Sequence, residues 1–117
     1  MPNRFQKSVG DATNGLKIVF KEERNFRIQL VAALVVFAAA FALQFSFPEL
    51  LGVTVAVLMV LLGEIVNTAV EDLCNKVEPQ HDAQIGAVKD VMAAYVLLAA
   101  FGSVVLGVIT VVHHFYF

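Results

Sequence analysis

The sequence is poor in cysteine and in positive charge, and both shortages exclude classes of protein. Cys74 is the only cysteine, so no disulfide can form within the chain. Eight lysines and arginines stand against ten acidic residues, and the net charge of -2 excludes a basic nucleic-acid-binding protein. The first 27 residues contain no apolar run of signal-peptide length, so we expect them to remain in the mature protein.

Short motifs that usually mark a nucleotide site are also missing. The sequence contains none of the patterns GxxxxGKS/T, GxGxxG, HRD and DFG. Any nucleotide-dependent activity must therefore use a different type of site.

Apolar residues, in contrast, are in excess. Hydrophobic residues make up 59% of the 117 residues, and the mean hydropathy is +0.78. A soluble domain of this length cannot bury so much apolar surface. The surplus predicts a membrane protein, in which lipid covers the apolar faces.

Three apolar segments are long enough to cross a bilayer as helices. Residues 28–46 and 91–112 are uncharged, and residues 50–70 contain one internal charge, Glu64. Pro48 separates the first segment from the second. We therefore predict an all-α membrane protein with three spans in a single domain of 117 residues.

The segment before the first span, residues 4–24, has the pattern of an amphipathic helix. Apolar side chains recur in steps of four and three, at Phe5, Val9, Ala12, Leu16 and Val19. Lysines on its other faces suit an anionic lipid surface, so this helix is predicted to lie on the membrane. Asn14 and Gly15 mark a point where it could break.

The positive charges indicate the orientation. Six of the eight precede the first span, and the other two, Lys76 and Lys89, lie between the second and third spans. In membrane proteins, lysine and arginine concentrate on the cytoplasmic side. The chain is therefore predicted to lie in the cell membrane, with its N-terminus and the loop of residues 71–90 in the cytoplasm. Three spans satisfy this assignment, whereas two or four do not.

One face of the second span is polar. Glu64, Asn67, Glu71 and Asn75 follow steps of three, four and four, which places them along one helical stripe. A carboxylate is costly within a membrane and is a functional candidate for that reason. For Asn67 alone, a hydrogen bond that joins two helices is as good an explanation as a functional role. Helix association does not, however, require two ionisable carboxylates.

Charged residues also mark the cytoplasmic ends of the other two spans. Glu23, Arg24 and Arg27 precede the first span, and Lys89 and Asp90 precede the third. Carboxylates can hold a divalent cation, and lysine or arginine can hold phosphate oxygens, which is the combination that phosphoryl transfer needs. Anchoring at the membrane surface is the alternative for the two arginines.

The C-terminal tail HHFYF contains adjacent histidines, His113 and His114. They are predicted to lie at the opposite face of the membrane with no carboxylate or thiol neighbour. We therefore interpret the tail as an interfacial aromatic belt rather than as a metal site.

Three motifs resemble a known family: FRIQ at residues 26–29, EIVNTAVE at 64–71 and AVKD at 87–90. On these motifs the whole chain resembles the small prokaryotic diacylglycerol kinases and undecaprenol kinases. The resemblance implies ATP-dependent phosphorylation of a membrane lipid hydroxyl, giving undecaprenyl phosphate or phosphatidic acid. It also implies Mg²⁺ and a homotrimer with active sites shared between subunits. The residues of the FRIQ and NTAVE motifs resemble the undecaprenol kinase branch more than the diacylglycerol kinase branch.

The resemblance assigns roles to individual residues. Glu64 stands at the catalytic base and Asn67 at the motif asparagine, while Glu23 and Glu71 stand at the carboxylates that bind metal and cofactor. The other positions that contact cofactor or substrate in the family are matched by Arg4, Gln80, His81, Asp82, Lys89 and Asp90. The chain departs from the family pattern at Asn75, where aspartate is usual, and at Tyr95, where a small residue is usual.

Two other classes of function compete with a lipid kinase. A small proton-coupled transporter could use a membrane carboxylate to carry a proton, although such proteins usually have four spans and a more central carboxylate. A non-catalytic assembly subunit would have no use for ATP. Labelling of lipid by ATP separates the three hypotheses.

Overall fold

The computed structural model describes Met1 and residues 3–117, and that part of the chain forms four helices. In chain order they are α1 (Arg4–Glu22), α2 (Arg24–Ala42), α3 (Phe47–Val77) and α4 (Ala83–Tyr116). Among the described residues, α2, α3 and α4 are long and apolar enough to cross a membrane. The predicted all-α class, with an N-terminal helix followed by three long apolar helices, is confirmed.

The turn between α2 and α3 has clear local causes. Helix α2 stops earlier than the predicted end of the first span, because Gln44 has a φ of 58°, which is outside the range of a right-handed helix. The side chain of Ser46 accepts a hydrogen bond from the Glu49 N–H, and the Glu49 side chain accepts one from the Ser46 N–H. This capping box, with Pro48 in the first turn, starts α3.

Helices α3 and α4 both extend beyond their predicted spans into the polar segment of residues 71–90. Helix α3 continues to Val77 and α4 begins at Ala83, so only residues 78–82 connect them. We call the end of the bundle near this connection the charged end, and the end near Ser46 the far end. The polar stripe of α3 is therefore carried on rigid helix down to the charged end.

Helix α1 is continuous through Asn14 and Gly15, so the suggested break is absent. Its side chains Phe5, Val9 and Leu16 are exposed, whereas Val19 near its end is buried. Arg27 of α2 donates two hydrogen bonds to the last turn of α1, to the carbonyl oxygens of Phe20 (2.6 Å) and Lys21 (3.1 Å). The guanidinium thus ties α1 to α2 and offsets the negative end of the α1 dipole.

Helix α3 is central, because it packs against both α2 and α4. Small residues bring α3 and α4 close together: a methyl group added at Gly52 would lie within van der Waals overlap of the Thr110 hydroxyl. Tyr95, a departure from the family pattern, packs its ring over Gly63, at 3.7 Å from the position of an added methyl group. This is an ordinary van der Waals distance, so the large ring would also fit beside an alanine at position 63.

The far end is closed by a cluster that the sequence did not predict. Glu49 Oε2 lies 2.6 Å from His113 Nδ1, and Glu49 Oε1 lies 2.9 Å from His114 Nδ1. Phe45 stacks on the His114 ring, with 4.3 Å between the centroids. The interpretation of the two histidines as lacking a carboxylate neighbour is wrong, because folding brings the start of α3 beside the end of α4.

Candidate active site

A polar cavity of about 500 Å³ lies between α2, α3 and α4 toward the charged end. Helix α3 provides three residues of its polar stripe to the lining, Glu64, Asn67 and Glu71. Helix α4 provides Lys89, and α2 provides Asn25. The remaining lining residues are apolar, so the polar groups converge in an otherwise apolar pocket, as is typical of binding sites.

The stripe becomes more buried with depth. Glu71 is exposed, Asn67 is half-buried and Glu64 is 5% exposed. At ~1.5 Å rise per residue, Glu64 lies about 10 Å deeper than Glu71 along the helix. The cavity therefore opens at the charged end and leads inward to a carboxylate.

Glu64 has unused hydrogen-bonding capacity. Its Oε2 atom is buried and has no hydrogen-bond partner among the described residues. The Thr68 hydroxyl donates to the main-chain carbonyl of Glu64 at 2.8 Å and not to its carboxylate. A buried acceptor without a partner costs free energy, so this oxygen is well suited to accept a hydrogen bond from a ligand hydroxyl.

The charges of two further carboxylates act on Glu64. Glu64 lies within electrostatic range of Glu71, on its own helix, and of Glu23, which forms the junction between α1 and α2. Within Met1 and residues 3–117, no group of three or more histidine, cysteine or acidic side chains is arranged to hold a metal ion. Two carboxylates are nevertheless a sufficient protein contribution for Mg²⁺, which keeps several waters and takes further oxygens from phosphates.

Lys89 is held in place by Asn75, one of the two residues that depart from the family pattern. Its Nζ donates a hydrogen bond of 2.8 Å to Asn75 Oδ1, across the α3–α4 interface. An amide oxygen at this position orients the ammonium without neutralising it. The full positive charge of Lys89 thus remains available at the cavity.

Glu22, the last residue of α1, and Asp72 of α3 form a second acidic pair. A side-chain hydrogen bond with Asp72 is the main cause that raises the pKa of Glu22, and desolvation and the charges of Asp72 and Glu23 act in the same direction. The proximity of the two carboxylates opposes ionisation of Glu22.

Several predicted site residues lie outside the cavity of this single chain. Arg4 is exposed at the start of α1, and Asp90 is exposed near the start of α4. Asp82 caps α4 by accepting hydrogen bonds from two main-chain N–H groups, those of Gln84 (2.9 Å) and Ile85 (3.0 Å). Gln80 and His81 are exposed in the connection between α3 and α4.

Sequence reasoning missed two polar residues of α2. Asn25 lines the polar cavity, and Gln29, one helical turn further on, has a buried Oε1 atom without a hydrogen-bond partner. The available signal was their spacing of four on one helix face, at the end of an otherwise apolar segment. The sequence does not show that this face of α2 points toward Glu64, because only the packing of the helices decides it.

An apolar cavity of about 690 Å³ continues the cleft toward the far end. It is lined by the same three helices, beginning at Gln29 on α2 and Leu61 on α3 and reaching Phe115 on α4. Gln29 follows Asn25 by one turn, and Leu61 precedes Glu64 by about one turn, so the lining of the apolar cavity begins about one helical turn beyond that of the polar cavity.

The sequence comparisons agree with these features. A profile of the family described as Prokaryotic diacylglycerol kinase matches residues 10–111. The chain belongs to the prokaryotic diacylglycerol kinase family. An undecaprenol kinase of Bacillus subtilis (strain 168) is similar to it, with 30% identity over 112 residues that cover 92% of this chain and 87% of the relative. The protein is therefore a membrane-bound lipid kinase, and the expected family is confirmed.

Proposed function

We propose that this family member transfers the γ-phosphoryl group of ATP to the hydroxyl of a membrane lipid at the cytoplasmic face of the cell membrane. The observation that carries the proposal is the buried, unpaired Oε2 of Glu64, in a cavity that also contains Glu71 and Lys89. A general base, an acidic group for a cation and a fixed positive charge are the parts that phosphoryl transfer uses.

In this mechanism Glu64 accepts the proton of the lipid hydroxyl while the hydroxyl oxygen attacks the γ-phosphorus. The bond from that phosphorus to the β–γ bridging oxygen breaks, and ADP leaves. Lys89, oriented by Asn75, holds phosphate oxygens. Asn67, between Glu64 and Glu71 on the stripe, is in a position to orient either reactant.

Glu71 and Glu23 are the side chains that would hold Mg²⁺, and the ion would neutralise charge on the phosphates. Glu71 is exposed at the mouth of the cavity, and Glu23 is half-buried at the α1–α2 junction. Both can be reached from the side on which the nucleotide would enter.

For the lipid, we propose undecaprenol in preference to diacylglycerol. The relative similar to this chain is an undecaprenol kinase, and the apolar cavity beyond Glu64 suits a hydrocarbon chain without esters. Ser103 and Thr110 are the hydroxyl groups in its lining, and that of Thr110 already donates to the Leu106 carbonyl at 2.8 Å. An ester carbonyl would find few donors there.

The residues outside the cavity fit a shared site. We propose that the protein is a homotrimer and that Arg4, Gln80, His81, Asp82 and Asp90 contact nucleotide or substrate when subunits assemble.

The distribution of positive charges supports the cytoplasmic orientation of the N-terminus. Six of the eight lysines and arginines come before α2 completes its first turn.

The direct test is phosphate transfer by purified protein in mixed micelles. With radiolabelled ATP and Mg²⁺, we expect label in undecaprenol, and a higher kcat/KM for undecaprenol than for diacylglycerol. No label in either lipid would refute the kinase proposal and favour a transporter or an assembly subunit. A preference of tenfold or more for diacylglycerol, about 1.4 kcal/mol in transition-state binding, would refute the choice of lipid.

A further inference from the structure

We infer that Arg27 is a positioning residue: it fixes the bend between α1 and α2 and thereby fixes where the Glu23 carboxylate lies. The inference rests on the proposed function, in which Glu23 and Glu71 are the side chains that would hold Mg²⁺. It replaces the two roles that the sequence left open for Arg27, which are phosphate binding and anchoring at the membrane.

The bend between α1 and α2 consists of a single residue. Glu23 ends α1 and begins α2, and its φ of -111° and ψ of 106° are those of extended backbone. Val19 and Phe26, on either side of it, are buried. The backbone has two soft dihedral angles per residue, so rotation at Glu23 alone changes the angle between the two helices. The same rotation moves the carboxylate.

The Arg27 guanidinium bridges this bend. Its Nη1 atom donates hydrogen bonds to the carbonyl oxygens of Phe20 (2.6 Å) and Lys21 (3.1 Å), which belong to the last turn of α1. Carbonyls at the end of a helix lack partners within the helix and attract a positive charge. The main-chain N–H of Arg27 donates to the Glu23 carbonyl at 3.3 Å. Arg27 therefore joins the chain before the bend to the bend itself and to α2.

The carboxylate at the bend is available for a ligand. Among the described residues, the Glu23 side chain makes no hydrogen bond that caps α2. Its charge acts on Glu64, which places it in electrostatic range of the polar cavity. Mg²⁺ accepts only near-ideal octahedral geometry, so a carboxylate on a movable bend would bind it poorly. A rigid bend at Glu23 is thus a requirement of the proposed metal site.

The contacts of Arg27 favour positioning over the two other roles. Its side chain is half-buried, and its Nη1 is already bonded to two main-chain carbonyls. A side chain that anchors the protein to lipid headgroups needs to be exposed, as Arg24 is. A side chain that binds phosphate needs its donors directed at the nucleotide.

The kinetic test compares Arg27→Gln with wild type in the lipid phosphorylation assay. We expect the Mg²⁺ concentration for half-maximal activity to rise by about fivefold, because the Glu23 carboxylate is no longer held in place. Turnover at saturating Mg²⁺ should stay within about twofold of wild type, since Arg27 does not touch the reactants. Arg27→Lys, which keeps the charge and can reach one carbonyl, should restore part of the Mg²⁺ affinity.

A binding measurement gives a second readout that does not depend on turnover. Mn²⁺ is the probe, because carboxylate and phosphate oxygens bind it as they bind Mg²⁺. Free Mn²⁺, counted by electron paramagnetic resonance with a non-hydrolysable ATP analogue present, should show weaker binding to Arg27→Gln than to wild type. Lys17→Gln removes the same charge at an exposed position of α1 and should bind Mn²⁺ as wild type does.

Limited proteolysis reports on the bend itself. Trypsin cleaves after Lys21 and Arg24, which lie on either side of Glu23. Cleavage requires local opening, so it should be faster in Arg27→Gln than in wild type and Lys17→Gln. If Arg27→Gln does not fold, Arg27→Lys serves in its place, with intermediate cleavage and Mn²⁺ affinity expected.

Each outcome decides one of the two proposals. Wild-type Mn²⁺ binding, or wild-type cleavage at the bend, in a folded Arg27 variant would overturn the role of Arg27 and leave the kinase proposal intact. Absence of lipid phosphorylation by the wild-type protein would overturn the proposed function, on which this role rests.

Discussion

Glu49 and His113 form a contact of 2.6 Å between the carboxylate and the ring Nδ1 at the far end of the bundle. The other oxygen of Glu49 meets His114, and the same carboxylate caps the start of α3. One side chain, 6% exposed, thus fastens the α2–α3 turn to the end of α4, remote from the polar cavity.

Replacing this carboxylate should weaken the fold without impairing catalysis. We expect Glu49→Ala to lower the thermal midpoint in detergent, because two histidines and the Ser46 N–H lose their acceptor. In protein that remains folded, kcat/KM should equal that of wild type. Asp11→Ala, at an exposed position of α1, is the control. An unchanged midpoint in Glu49→Ala would show that the cluster contributes no stability.

Close packing of α3 on α4 should make Gly52 intolerant of a larger residue. We expect Gly52→Ala to destabilise the protein by about 1–3 kcal/mol, because the added methyl group collides with Thr110. Gly107→Ala is the matched control, since a methyl group there meets no atom within 4 Å. Denaturation in mixed micelles measures both variants. Equal stabilities would contradict the close approach of the two helices.

The base assignment predicts a large kinetic effect at Glu64. Glu64→Gln keeps the shape of the side chain and removes the proton acceptor, so turnover should fall by ~100-fold or more. Folding and ATP binding should be retained. Asp11→Asn makes a similar carboxylate-to-amide change outside the cavity and should remain active. Near-normal turnover in Glu64→Gln would mean that another group takes the proton.

The metal assignment predicts a different kinetic pattern for Glu71 and Glu23. Each change to glutamine removes a hard oxygen ligand, so we expect the Mg²⁺ concentration for half-maximal activity to rise or nucleotide binding to be lost. A Mg²⁺ titration of activity at fixed ATP measures the effect, with Asp11→Asn as the control. Wild-type titrations in both variants would exclude these carboxylates as ligands.

The Glu22–Asp72 contact predicts a pH dependence of stability. The folded state raises the pKa of Glu22 above 4.5, so its favourable contribution is present below the unfolded pKa and is lost as pH rises through the folded pKa. Glu22→Gln should therefore have a higher thermal midpoint than wild type at pH 8, and the difference should shrink toward pH 4.5. Asp11→Asn should show no such trend. A constant difference across this range would rule out a raised pKa of Glu22 in the folded state.

Much of the architecture follows from local properties of the sequence. Uncharged runs of spanning length predict the three long helices, because hydrocarbon admits only segments that satisfy their own backbone hydrogen bonds. The spacing of Glu64, Asn67 and Glu71 predicts one polar face, because helical periodicity fixes which residues share a side. The boundary between α2 and α3 was less predictable. The positive φ of Gln44 ends α2, and the capping box at Ser46 starts α3, at positions that hydropathy alone does not show.

What the tertiary structure alone decided is which faces meet. Periodicity groups Asn25 with Gln29 and Glu64 with Asn67, but it carries no information on how α2 is turned toward α3. The pairing of Glu49 with His113 depends in the same way on α4 returning to the far end, where the start of α3 lies. Such contacts join residues far apart in the chain, and they are fixed only by the packing of whole helices around α3. The sequence by itself determined the helices and the polar stripe, and packing determined the cleft that joins them into a site.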